Sequence, residues 1–357
     1  MSVDYDTLKS IFFKFDPETA HKIAELAMIW SNKIFPGSLS LVASKCVIND
    51  ARLQQNLLGS IYNNPVGIGG GFDKNATMLP ALCALGFGYL EFGTFTPKPQ
   101  SGNDKPRLFR LIEEQSIQNA MGFNNEGCEP IKQKVKKSYP FVVPLWANIG
   151  KNKLTPNENA IDDYEILVRE FSEICDSFVI NVSSPNTPNL RDLQEESFIK
   201  ELFSRIKPLT KKPIIFKISP DLAHEKAVDI CKCAVESGSS GIIISNTSVD
   251  YSLSNSTNLK DFGGLSGKVI AQRSKEIFKA VAHELFGKTI LIACGGIDSG
   301  QEAYERIKMG ANLVQIFTSF IYKGPKICHD INAEILNLME RDGFSNISQA
   351  IGVDIKK

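Results

Sequence analysis

Residues 177–187 read Ser177-Phe178-Val179-Ile180-Asn181-Val182-Ser183-Ser184-Pro185-Asn186-Thr187, a short apolar run that breaks off into a cluster of amide and hydroxyl side chains. A strand with such an end delivers hydrogen-bonding groups to a fixed place. Buried there, these groups cost free energy unless they are paired, and a polar ligand is one partner. An Asx or Ser/Thr turn has the same composition. What favours the ligand is that several other strands end in the same way.

Outward from this stretch, apolar β-rich runs occur at 66–70, 89–95, 142–149, 178–182, 214–218, 241–245, 289–293 and 313–317. Helical patterns at 76–85, 165–175, 198–206, 225–236, 271–282 and 300–308 alternate with them. Continuous apolar strands joined by helical crossovers predict a parallel sheet covered by helices. Eight such units predict an α/β fold of the closed (β/α)8 TIM-barrel type rather than an open doubly wound sheet. Residues 107–119 look like a hairpin inserted after the second strand, over the barrel's C-terminal face. Functional loops gather on that face.

The strand ends converge in type. The first carries Gly69, Gly70, Gly71, Phe72, Asp73, Lys74 and Asn75, a glycine run that lets backbone approach a flat ligand and then presents a lysine. Further ends carry Thr94 and Thr96, Asn148, Asn181 with Ser184, Asn186 and Thr187, Lys217, Ser245 with Asn246 and Thr247, Gly295 with Gly296, and Thr318. Apart from Asp73 no carboxylate is expected at this mouth, and His21, His224, His283 and His329 all fall away from the strand ends. A histidine-base or metal hydrolase is therefore disfavoured, whereas a planar, anionic, amide-rich ligand suits asparagines and lysines. Gly263, Gly264, Gly267, Gly295 and Gly296 flank the seventh strand, where barrels of this kind hold phosphate on backbone N–H groups; glycine turns are the plainer account of the same residues.

At 357 residues, with 43% hydrophobic and 22% charged side chains, the chain suits one large barrel with an appendage. Its zero formal charge gives no footing for nucleic acid. The eight cysteines lack CxxC or His-paired spacing, so reduced thiols and no metal site are expected. No signal peptide and no membrane-spanning run are read. Residues 11–13 and 23–35, with Phe12, Trp30 and Ile34, form two short amphipathic stretches around Asp16-Pro17. Such a pair either lies on a membrane surface or packs on the main domain.

Together the segments GFDKN (71–75), FGTFTPKPQSGNDKPRLFRL (92–111), NAMGFNN (119–125), NVSSPNTPNLR (181–191), KISPD (217–221), SNT (245–247), GGLSGK (263–268) and LVQIFTSFIYKGP (313–325) resemble dihydroorotate dehydrogenase of the quinone-linked, membrane-associated class. The resemblance covers nearly the whole chain and implies an FMN enzyme that oxidises dihydroorotate to orotate in pyrimidine (UMP) biosynthesis, with a membrane quinone as electron acceptor. It implies Ser184 as the base at C5, with a water relay near Thr187, since a lone serine is a poor base. In soluble relatives a cysteine stands there. Lys74, Asn119, Asn181, Asn186, Asn246 and Thr247 would hold the substrate, with Ala120, Met121, Gly122 and Phe123 over it. Gly70, Gly71, Phe72, Asp73, Lys74, Thr94, Asn148, Asn181, Lys217, Ser245, Gly267, Gly296, Phe317 and Thr318 would contact FMN, Lys217 near flavin N1/O2 where negative charge builds on reduction.

Residues 1–40 would then be the segment giving quinone access and peripheral attachment to the cytoplasmic face of the inner membrane, and 41–357 the catalytic barrel. No metal and no nucleic acid would take part. The chain departs from the family pattern mildly. Phe317 stands where tyrosine is common, which removes a ring contact to phosphate and leaves backbone contacts. Asn189 stands where glycine is usual, in a loop that favours positive φ, and Gly69 and Gly70 stand where alanines are frequent. Competing readings are a flavin-free barrel with a Schiff-base lysine, Lys217 or Lys74, a soluble dehydrogenase passing electrons to fumarate or NAD, and a membrane scaffold without chemistry.

Overall fold

In the computed structural model the described residues are 5–35 and 37–355. Positions 1–4 and 36 of the N-terminal segment, and 356–357, lie outside them. Eight parallel strands close a barrel in chain order: Val66–Asp73, Tyr89–Phe95, Leu145–Ile149, Ser177–Asn181, Ile214–Ile218, Gly241–Ile244, Ile290–Cys294 and Leu313–Ile316. Helices α4 (Leu79–Ala84), α5 (Cys128–Lys136), α6 (Ala160–Phe171), α7 (Glu196–Ile206), α8 (His224–Glu236), α9 (Ala271–Leu285) and α10 (Gly300–Lys308) surround it. They bury one apolar face each, such as Ile199, Leu202, Phe203 and Ile206 on α7.

All eight anticipated strands are present, with edges moved by local chemistry. The third begins at Leu145 rather than 142, because Pro144 has no N–H for the ladder and Val142 is exposed. Helix α6 begins at Ala160 rather than 165; Asp162 and Asp163 in its first turn mask the buried Ala160, Ile161 and Tyr164.

Inside the barrel the two-residue strand period stacks layers. The floor is Tyr89, Trp146, Val179, Ile215, Ile243, Ile292 and Leu313, sealed by Tyr62 from the hairpin Gln55–Leu57/Ser60–Tyr62. Trp146 Nε1 donates to Tyr62 Oη at 3.1 Å. One step up, the same strands turn in Glu91, Asn148, Asn181, Lys217, Ser245, Cys294 and Gln315. A polar layer thus rests on an apolar plug.

The expected hairpin exists as Leu108–Leu111 paired antiparallel with Ser116–Asn119. A third strand, Gly264–Gly267, joins it, so part of the segment read as glycine turns is paired backbone. Gly267 has φ +97°, and a Cβ there would meet Gln115 O at 2.7 Å.

At the N-terminus, α1 (Tyr5–Phe12) and α2 (Pro17–Ile34) form the anticipated pair, and α3 (Ser38–Cys46) follows, so position 40 falls within a helix. Asp16 caps α2 by accepting from Glu18 N and Thr19 N, with Pro17 in the first turn. The pair is tied to the barrel face. Glu18 pairs with Arg107 at 2.7 Å, Arg110 Nη1 donates to Phe15 O at 2.9 Å, and Tyr5 Oη donates to Ile321 O at 2.7 Å.

Candidate active site

One cavity of about 1000 Å³ opens at the C-terminal mouth of the barrel. Lys74, Ser184, Lys217 and Asn246 all line it, although they come from four different strand ends. Gly70, Gly71, Phe72, Asp73, Thr94, Asn119, Met121, Gly122, Phe123, Asn181, Asn186, Ser245, Thr247, Gly267, Gly296, Phe317 and Thr318 also reach it. Ala120 and Asn148 do not line it. The Ala120 backbone is tied to Arg107 O and to Asn103, and Asn148 lies behind Thr94. The cavity continues between α1, α2 and α3, past Phe12, Phe13, His21, Met28 and Val42.

A carboxylate that the chain's reading missed sits in the polar layer. Glu91 is 1% exposed and accepts from Asn148 Nδ2, from Gln315 Nε2 and, at 3.5 Å, from Lys217 Nζ. Burial alone pushes the Lys217 ammonium down, and the facing Glu91 charge reverses this and holds it above the usual range. The expected openness at Gly70 has another cause as well. A Cβ there would lie 2.3 Å from Glu91 Oε1 and 2.5 Å from Asn148 Nδ2.

Above this layer the asparagines bond one another. Asn181 Nδ2 donates to Thr94 Oγ1 at 2.8 Å, and Asn246 Nδ2 donates to Ser183 Oγ at 2.9 Å and to Asn181 Oδ1 at 3.2 Å. Asn186 Nδ2 donates to Asn119 Oδ1 at 3.0 Å across to the hairpin. Asn186 Oδ1, Thr247 Oγ1 and Thr187 Oγ1 are buried without a partner. Buried polar atoms of this kind call for a ligand or water. Ser184 is 6% exposed, and its Oγ accepts only weakly from Asn186 N, at 3.3 Å. Among the described residues no histidine or carboxylate hydrogen-bonds to it. Asn189, which closes this loop, has φ +56°, the left-handed conformation that asparagine tolerates.

The other flank is a glycine cradle. Gly295 and Gly296 have φ of +113° and +73°, and a Cβ on Gly296 would lie 2.3 Å from Ala271 Cα. Ser274 Oγ donates to Gly295 O at 2.6 Å. Arg306, wholly buried, donates through Nη2 to Ala271 O at 2.9 Å and to Ser274 Oγ at 3.1 Å, and through Nε to Glu302 at 2.9 Å. Thr318 Oγ1 donates to Ser266 Oγ at 2.9 Å, joining the last strand end to the Gly264–Gly267 strand.

Two residues at the first strand end differ from expectation. The Asp73 carboxylate accepts from Thr77 N and Met78 N, both at 2.8 Å, so its oxygens tie off its own turn at the edge of the cavity. His21 is not remote: α2 carries it to Phe72, ring centroids 5.2 Å apart, at the edge of the cavity. Burial and then the nearby Lys74 lower its pKa to about 4, so it is neutral and only weakly basic. Lys74 donates to Gly71 O at 2.7 Å, and burial lowers it to about 8. Among the described residues no cluster of three or more His, Cys, Asp or Glu is arranged to hold a metal, and none of the eight cysteines is disulfide-bonded.

A closed barrel with a plugged floor and a polar, partly unsatisfied mouth is the architecture of an enzyme that works at its strand ends. The sequence profile described as dihydroorotate dehydrogenase matches residues 52–339. A curated protein of a Nitratiruptor species, named dihydroorotate dehydrogenase (quinone), is 56% identical over 354 residues, covering 99% of this chain and 100% of its own length. One of the same name from a Sulfurovum species is 50% identical, covering 99% of each. The crystal structure of DHODH from Eimeria tenella in complex with ferulenol superposes with a TM-score of 0.84 at 34% identity, covering 96% of both chains. The chain belongs to the dihydroorotate dehydrogenase family, and it is an oxidoreductase.

Proposed function

We propose that this chain oxidises (S)-dihydroorotate to orotate in de novo pyrimidine biosynthesis, with FMN as hydride acceptor in the barrel mouth and a membrane quinone as terminal acceptor. The observation that carries it is the convergence of Lys74, Ser184, Lys217 and Asn246 on one cavity that runs on between the N-terminal helices.

The residues present fit FMN. The cavity of about 1000 Å³ exceeds what a tricyclic ring and a pyrimidine need, and the positive-φ glycines Gly267, Gly295 and Gly296 line it, bringing backbone without side chains to where a phosphate would sit. Gly267, Gly296 and Thr318 would hold that phosphate, with the Phe317 ring packed instead on Phe72 at 5.6 Å. Gly70, Gly71, Thr94, Ser245 and Lys217 would meet the ring, Asn148 acting through Thr94. When bound, FMN supplies the two-electron acceptor that the protein's own side chains lack.

The chain's own residues do the rest. Asn119, Asn181, Asn186, Asn246 and Thr247 would take both edges of the pyrimidine, and the unpartnered Asn186 Oδ1 and Thr247 Oγ1 support this. Lys74 would neutralise the substrate carboxylate. Ser184 would take the C5 proton, and the unpartnered Thr187 Oγ1 supports a water relay beside it. Met121, Gly122 and Phe123 would exclude solvent. In the 1–40 segment, exposed Ile11, Phe15, Leu26, Trp30 and Ile34 would rest on the cytoplasmic face of the inner membrane while the cleft between α1 and α2 admits quinone. No described helix is long and apolar enough to cross a membrane.

The purified protein should be yellow with one FMN per chain and should bleach anaerobically on adding dihydroorotate. Ser184→Ala should retain the flavin and slow that bleaching by about 10²-fold or more, the usual size of a general-base contribution. A colourless protein trapped by borohydride with substrate would replace this reading with a Schiff-base barrel.

A further inference from the structure

Glu91 is a negative charge in a place where folding does not require one. The barrel needs a filler between its aromatic floor and its mouth, and apolar residues of similar volume fill such space as well as a buried ion pair or better. Yet the structure is adapted to the carboxylate on every side. Asn148 Nδ2, Gln315 Nε2 and Lys217 Nζ are all aimed at it, and Gly70 lacks a side chain where one would strike Glu91 Oε1. Among the described residues it is the only carboxylate of the polar layer, and Lys217 is its only cationic partner within that layer.

We propose that Glu91 is a positioning residue that holds Lys217 in place and sets the reduction potential of the bound flavin. This rests on the assignment of Lys217 to the flavin made above. With Glu91 ionised beside it, Lys217 presents the ring with the end of a neutral pair rather than a free positive charge. The attraction for the charge gained on reduction is accordingly partial, and the potential is kept low enough for electrons to pass on to quinone. Lys217 and Glu91 thus act as one unit, with the carboxylate touching neither substrate nor flavin.

The test is the midpoint potential of the flavin in the purified holoenzyme. Glu91→Gln is nearly isosteric, and Gln315 can accommodate it by turning its amide so that its now unpartnered Oε1 accepts from the new amide group. The expected result is a rise that shifts the oxidised-to-reduced equilibrium at least tenfold, about 30 mV for two electrons. Lys217→Met should lower the potential. A Glu91→Gln potential that is unchanged or lower, while Lys217→Met does lower it, overturns the proposal alone. If Lys217→Met alters neither the potential nor flavin affinity, the assignment of Lys217 to the flavin fails first. Should Glu91→Gln not fold, Gln315→Met removes one neutral donor from the carboxylate, exposes Lys217 to more of its charge and should lower the potential enough to shift the oxidised-to-reduced equilibrium at least threefold; no change or a rise overturns the proposal.

Discussion

Replacing Arg306 by Met tests whether the glycine cradle is held from beneath. Arg306 has no solvent exposure and makes three hydrogen bonds, to Glu302, Ala271 O and Ser274 Oγ, while its Nη1 has no partner. Removing one partner of a buried ion pair costs about 3–5 kcal/mol. Here the loss is moderated, because Glu302 keeps Lys275 at 3.3 Å and Ser274 Oγ still donates to Gly295 O. Methionine fills a similar volume, and its burial returns about 1.5–3 kcal/mol. The unpartnered Nη1, with its desolvation cost, also disappears. The net is a loss of about 2 kcal/mol in stability, roughly thirtyfold in the folding equilibrium. Urea unfolding of the apoprotein reads that directly, and FMN titration by fluorescence quenching reads the cradle, where about tenfold weaker binding is expected as Ala271 and Gly295 lose their common anchor. Arg306→Lys keeps the charge but not the fork, so it should fall between the two. Stability within about 0.5 kcal/mol of wild type, together with unchanged FMN affinity, would refute the claim that Arg306 holds the cradle.

Two further outcomes follow from the same geometry. Lys74 is lowered to about 8 by burial, and its protonated form is the one that attracts a carboxylate, so the dihydroorotate KM should be flat below pH 8 and rise above it as the proton is lost. Lys74→Met should raise KM at neutral pH and abolish that limb; a KM independent of pH up to about 10 in the unaltered enzyme would remove Lys74 from the substrate's carboxylate. Deleting residues 1–35 should abolish quinone reduction while flavin reduction by dihydroorotate persists, as separate half-reaction traces will show. Equal quinone turnover by the truncated protein would count against the N-terminal access route.

The closed barrel was legible because eight short apolar runs recur along the chain and helical periods separate most of them, even where glycines enter the first strand and Pro144 trims the third. The mouth was legible for a related reason. Along the strands that form the floor, the next inward residue after each apolar floor position is polar or a thiol, as in Trp146 to Asn148 or Ile215 to Lys217, and that step is visible in the primary order. Glu91 followed the same rule, two residues beyond Tyr89, but lies inside the strand rather than at its end, where the search for site residues began. His21 was placed wrongly for a different reason. Its distance from any strand end in sequence says nothing about the helix docking that brings it to Phe72, which depends on the long-range Glu18–Arg107 and Glu25–Thr77 contacts. Asp73 did carry a local signal, a threonine four residues on whose N–H it accepts, and that capping geometry competes with any ligand role.

Those same contacts join the two ends of the proposed electron path. Arg107, 6% exposed, binds Glu18 of α2 on one side, while its Nη1 donates to Ser101 O and Asn103 O. Asn103 Nδ2 in turn donates to Ala120 O and, at 2.9 Å, to Asn186 O in the loop that follows Ser184. The N-terminal helices are therefore mechanically continuous with the loop carrying the proposed base, through side chains that are half-buried or better and so resist rearrangement more than a surface pair would. A helical segment attached only by apolar contact could slide over the barrel; one fixed through Arg107 is held in register with it. The same loop carries Asn186, whose Nδ2 donates to Asn119 Oδ1 at 3.0 Å across the pocket.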